Sequence, residues 1–151
     1  MTRHRQALIL FVALVVGGGL AIGYMTAPGE WYAHLIKPSF NPPNWVFAPA
    51  WTVLYVLIAV AGWRLWREQA GGSAMKAWWL QLGLNFLWSP VFFAAHKVGL
   101  ALLIILLMLA AIVACIALSW RRERIAAWLL VPYAAWVAFA ATLNGSILAL
   151  N

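Results

Sequence analysis

Five apolar stretches, each close to 20 residues long and set off by charges, run Ala7 to Ala27, Trp45 to Trp66, Lys76 to Ala95, Val98 to Trp120 and Ile125 to Ala149. About 20 apolar residues is what a helix needs to cross the hydrocarbon of a bilayer. The spacing of charge therefore dictates a membrane fold. Composition agrees, since 66% of the residues are hydrophobic and 9% charged, against about 45–50% and about 25% in soluble domains. Backbone groups facing lipid must be paired within a helix or a closed barrel, and the stretches lack the alternation of barrel strands. The expected fold is an all-α integral membrane protein, a single domain over residues 1–151 built as a bundle of five transmembrane helices. A signal peptide is the alternative for the first stretch, which follows Arg3 and Arg5, but its apolar run is long and no small-x-small site follows.

Orientation follows from the basic residues. Eight of the ten Lys and Arg fall on one side: Arg3 and Arg5, then Arg64, Arg67 and Lys76, then Arg121, Arg122 and Arg124. Only Lys37 and Lys97 fall on the other. The positive-inside rule puts the N-terminus in the cytoplasm and the C-terminus outside. The net charge of +7 is thus an orientation signal with affinity for anionic membrane lipid, and it implies no nucleic-acid partner. The single cysteine, Cys115, allows no internal disulfide and reads as small apolar packing.

The first connection, Pro28 to Asn44, is long and contains four of the seven prolines. Pro38, Pro42 and Pro43 fix φ and remove donors, so an irregular, stiff external lid is expected there. Most of the eleven tryptophans, Trp78 among them, lie near segment ends, where an interfacial belt accounts for them. Trp51, Trp88 and Trp136 lie deeper, roughly 9, 12 and 20 Å from the outer ends of their helices at the α-helical rise.

Polar residues accompany these three at helical spacing. Asn85, Trp88, Ser89 and Phe92 fall at i, i+3, i+4 and i+7 and share one face. Trp51 and Tyr55 are four apart, and Tyr133, Trp136, Ala140 and Asn144 form a third stripe in which Ala140 leaves room beside the rings. Asn85 is a functional candidate because a buried amide inside a membrane is costly, although an interhelical hydrogen bond would also satisfy it. Pro90 and Pro132 each remove a helical hydrogen bond and open space between helices. Aromatic faces with a few polar tips suit a large, flat, mostly apolar ligand.

The motifs WY-x4-KP-x3-PP-x-W (Trp31, Tyr32, Lys37, Pro38, Pro42, Pro43, Trp45), FAPAWTVLY (Phe47 to Tyr55), LNFLWSPVFF (Leu84 to Phe93) and PYAAW-x3-A-x3-N (Pro132 to Asn144) occur in that order. In them the chain resembles the TspO family, which takes in the tryptophan-rich sensory proteins and the mitochondrial translocator protein, or peripheral benzodiazepine receptor. The resemblance implies a receptor-like or transporter-like membrane protein that binds porphyrins, notably protoporphyrin IX and haem, and benzodiazepine-site drugs. It also implies homodimers and, in bacterial members, light-dependent breakdown of protoporphyrin. Carried over by position, the ligand site takes in Tyr32 and Pro42 from the loop, Trp51 and Tyr55, Asn85 and Phe92, and Trp136 with Ala140; Trp88 joins them on the shared face of its helix. The family's C-terminal sterol motif is missing, because LNGSILALN from Leu143 has no Tyr, Lys or Arg. That argues against sterol binding, and the compact basic loops fit a bacterial cell membrane.

Ordinary acid–base enzymology is poorly supplied. Glu30, Glu68 and Glu123 all lie at connections, which leaves no carboxylate pair in the membrane. His4, His34 and His96 do not have metal-site spacing, and no obligatory cofactor is implied. His34, in the lid, is a candidate to approach a haem iron or propionate. If a porphyrin is degraded, Trp51 and Trp136 are the candidate electron partners of the excited pigment. The remaining alternative to a receptor is a transporter that carries tetrapyrroles across the membrane.

Overall fold

The computed structural model describes residues 2–151 and is all-helical over them. Thr2 opens helix α1, Arg3–Met25, by accepting the Arg5 N–H at 3.3 Å. A short helix α2, Glu30–His34, follows, then α3 at Phe47–Gln69, entered through a 3₁₀ turn at Asn44–Val46. Next come α4 at Ser73–Ser89, α5 at Val98–Ser119 and α6 at Arg124–Leu150.

Two expectations change here. The first connection is not wholly irregular, because residues between Pro28 and Pro38 form α2. Among the described residues there are six helices against the expected bundle of five, and four of them are long and apolar enough to cross a membrane. The third apolar stretch divides, since α4 is a 17-residue α-helix that continues as a π-helical turn, Pro90–Ala94. Pro90 lacks the N–H that would bond one turn back, and the chain answers by widening, with the Ala95 N–H reaching the Pro90 carbonyl at 2.9 Å. His96 then stops the helix at φ 60°, and its ring stacks on Trp31 of α2 at 4.1 Å and 10°. Pro132, by contrast, is carried inside an unbroken α6.

The long helices pack as a ring in which α1 touches α3 and α4, α3 touches α6, α6 touches α5, and α5 touches α4. Two glycines permit the closest approaches. A Cβ on Gly19 would lie 2.4 Å from the Tyr55 ring, and one on Gly62 would lie 2.3 Å from the indole of Trp78. Trp78 is accordingly fully buried, with its Nε1 donating to the Ile58 carbonyl at 3.0 Å, and it does not belong to an interfacial belt.

Arg3, Arg64 and Arg122 gather at one end. Arg3 lies over the Trp66 ring at 5.6 Å, Arg64 pairs with Glu123 at 3.0 Å, and Arg122 donates to Gln69 at 2.9 Å. At the other end the first loop is tied down at further points besides Trp31. Tyr32 packs edge-on to Phe93 at 5.3 Å, and the Asn151 side chain clasps Ile36, accepting from its N–H at 3.0 Å and donating to its carbonyl at 2.9 Å.

Candidate functional site

Beneath the first loop the ring of helices surrounds a cavity of about 600 Å³. The short helix α2 delivers Tyr32 to its wall, α3 delivers Trp51 and Tyr55, α4 with its π turn delivers Asn85, Trp88 and Phe92, and α6 delivers Trp136 and Ala140. The aromatic faces meet at defined angles. Trp51 lies 5.4 Å from Tyr55 and stands edge-on to Trp136 at 6.5 Å, while Phe47 meets Trp136 at 6.0 Å. Across the cavity Trp88 stacks on Phe92 at 5.1 Å.

Eight of the ten residues expected at the site therefore line one space. His34 and Pro42 do not. His34 is on the exposed side of α2, two residues beyond the inward-facing Tyr32, and its Nδ1 is held by the Glu30 carbonyl at 2.7 Å. Pro42 is set back between Asn41 and Asn44, and it is those two asparagines that reach the wall. Asn41, Asn44 and Phe47 fall in or beside the proline-rich segment, where no helical period marks an inward face.

Polar atoms are few, and several are paired within the wall, Thr26 with Ser89 at 2.7 Å and Tyr55 with Asn85 at 3.3 Å. Asn144 accepts from Trp88 Nε1 at 3.0 Å and donates to the Val98 carbonyl at 3.0 Å, so it locks the Trp88 ring against the wall. Replacing Asn144 with alanine orphans the indole N–H, and a loss of about 1–2 kcal/mol in stability is expected, read by thermal unfolding in detergent. Trp136 Nε1 and Asn41 Oδ1 are buried without a partner and offer one donor and one acceptor. Burial pushes the Tyr32 hydroxyl above its ordinary range, partly offset by the Asn41 side chain, so Tyr32 is neutral at pH 7. Among the described residues no Asp, Glu, Lys, Arg or His lines the cavity, and no three metal-binding side chains come together. Such a wall can hold a large apolar body and orient it by a few hydrogen bonds.

The sequence matches the model of the TspO/MBR family over residues 11–150. The chain belongs to the TspO/MBR family. Similar proteins include "Protein CrtK" of Rhodobacter capsulatus, 34% identical over 95% of this chain and 91% of the relative. The "Tryptophan-rich protein TspO" of Archaeoglobus fulgidus is 38% identical over 95% and 96%. The "Translocator protein" of Homo sapiens is 40% identical over 83% and 79%. The apolar helices and TspO/MBR membership together make this an integral membrane protein.

Proposed function

We propose that the chain is a membrane receptor or sensor that holds a flat tetrapyrrole, protoporphyrin IX or haem, beneath its first loop and accepts drug-like ligands of the benzodiazepine-site type there. The observation that carries this reading is the cavity itself, an uncharged space of about 600 Å³ walled by aromatic faces from four parts of the chain. On this reading α4 is a fifth span. Its 17 residues rise about 25 Å, short of the roughly 30 Å of hydrocarbon, and the 5-residue π turn supplies the remainder. The cluster of basic ends faces the cytoplasm of a bacterial cell.

Titration of the purified protein with protoporphyrin IX in the dark, followed by tryptophan quenching, is expected to show saturable binding. The same titration under light in air follows pigment loss, the readout for Trp51 and Trp136 as electron partners. Absence of saturable quenching would overturn the receptor reading. Ala140→Leu fills part of the cavity and is expected to weaken protoporphyrin binding about tenfold, on the scale of a 1–3 kcal/mol overpacking cost, while the melting temperature holds. Unchanged affinity would remove Ala140 from the site. The name translocator, carried by the human relative, favours a second reading, movement of the ligand across the bilayer. Saturable flux into sealed vesicles separates it from binding alone.

A further inference from the structure

We infer that Gln81, which does not touch the cavity, is a positioning residue that makes the cavity select ligands carrying a hydrogen-bond donor at Tyr55. The inference rests on the cavity being a ligand site.

Four side chains form a chain of hydrogen bonds that leads away from the wall. Tyr55 Oη donates to Asn85 Oδ1 at 3.3 Å, Asn85 Nδ2 donates to Tyr133 Oη at 2.7 Å, and Tyr133 Oη donates to Gln81 Oε1 at 2.7 Å. Tyr55 and Asn85 line the cavity, whereas Tyr133 and Gln81 are fully buried behind it. A hydroxyl has one proton, and an amide has distinct donor and acceptor ends. The direction of the whole chain is therefore fixed at its far end. Because Gln81 presents a carbonyl, Tyr133 spends its proton away from the cavity and must accept from Asn85. Asn85 then turns its NH₂ to Tyr133 and its carbonyl to Tyr55, and Tyr55 spends its own proton on Asn85. Lone pairs on the Tyr55 oxygen are what this end of the network offers a ligand.

One further contact supports that polarity. Met108 Sδ lies 3.4 Å from Tyr133 Oη as a second acceptor for the same proton. Gln81 Nε2 is buried with no partner at all, so the single hydrogen bond this amide makes is through its carbonyl. An apolar side chain would pack there without an orphaned donor, which is costly at such depth. The favoured ligand class is a flat, apolar ring system with an N–H or O–H on its edge.

Carbazole and dibenzofuran test this, because they share a shape and differ in a ring N–H against a ring oxygen. Each is used to displace protoporphyrin IX from the detergent-solubilised full chain in the dark. Carbazole is expected to act at a roughly three- to tenfold lower concentration, the usual worth of one hydrogen bond. In Gln81→Leu, Tyr133 is free to donate to Asn85, the amide turns, and the preference is expected to vanish or reverse. Gln81→Glu, neutral at that depth and still presenting a carbonyl, is expected to keep it. Tyr133→Phe breaks the chain one link nearer the cavity and carries the same expected loss should Gln81→Leu not fold. An unchanged preference in Gln81→Leu or Tyr133→Phe would overturn the assignment. So would a wild-type preference for dibenzofuran, or displacement by neither ring from a protein that binds protoporphyrin. Absence of protoporphyrin binding to the wild type is a separate result, and it removes the receptor reading instead.

Discussion

Gly62→Ala is expected to lower stability by about 2–4 kcal/mol, a large effect for one methyl group. The new Cβ would lie 2.3 Å from the indole of Trp78, nearer than any carbon contact tolerates. The ring has no easy retreat, since it is fully buried, meets Phe11 edge-on at 5.4 Å and donates to Ile58 at 3.0 Å. Overpacking of this kind costs about 1–3 kcal/mol, and a lost buried hydrogen bond adds about 1 kcal/mol. Thermal or denaturant unfolding in detergent measures the sum. Trp78→Phe in the same chain should recover part of the loss, because the two sites are coupled by direct contact. Neither residue lines the cavity, so ligand affinity below the melting transition should be retained. A Gly62→Ala protein as stable as wild type would mean that α3 and α4 do not approach this closely.

Trp136→Ala is expected to weaken protoporphyrin binding by about 1–3 kcal/mol, from the loss of aromatic burial, which is roughly a five- to 150-fold rise in Kd. Trp136 contributes more than area. It braces Trp51 at 6.5 Å and Phe47 at 6.0 Å, so its removal frees two further rings. Its Nε1 is also buried in the wall without a hydrogen-bond partner. Quenching titrations with the remaining tryptophans measure the change. An unaltered Kd in a folded variant would place the ligand elsewhere.

The inward stripes were legible because a helix repeats. Asn85, Trp88 and Phe92 share a face by arithmetic alone, and so do Trp136 and Ala140. Gln81 was within reach of the same arithmetic, being one turn before Asn85, and its depth among apolar neighbours was the signal that could have marked it. Trp78 was not legible, since its burial depends on a slot that Gly62 opens in a different helix, and periodicity within one segment carries no information about its neighbour. The loop resisted for a related reason. Prolines announced stiffness, but whether Asn41 or Pro42 reaches the wall is set by where the loop is anchored. The splitting of the third apolar stretch at Pro90 was visible as a lost hydrogen bond, while the π turn that absorbs it was not.

The clasp between Ile36 and Asn151 joins positions 115 residues apart. Closing so long a loop in a disordered chain costs about 4 kcal/mol of entropy, whereas two hydrogen bonds return only about 1 kcal/mol each. The clasp therefore cannot nucleate anything. It forms after helix packing has already brought the two segments together, and it can open without disturbing that packing. The clasp is thus an opening unit of its own at the edge of the roof, whereas Tyr32, packed with Phe92, Ala101 and Ile147, stays with the bundle, and amide exchange at Ile36 reads the clasp's free energy directly.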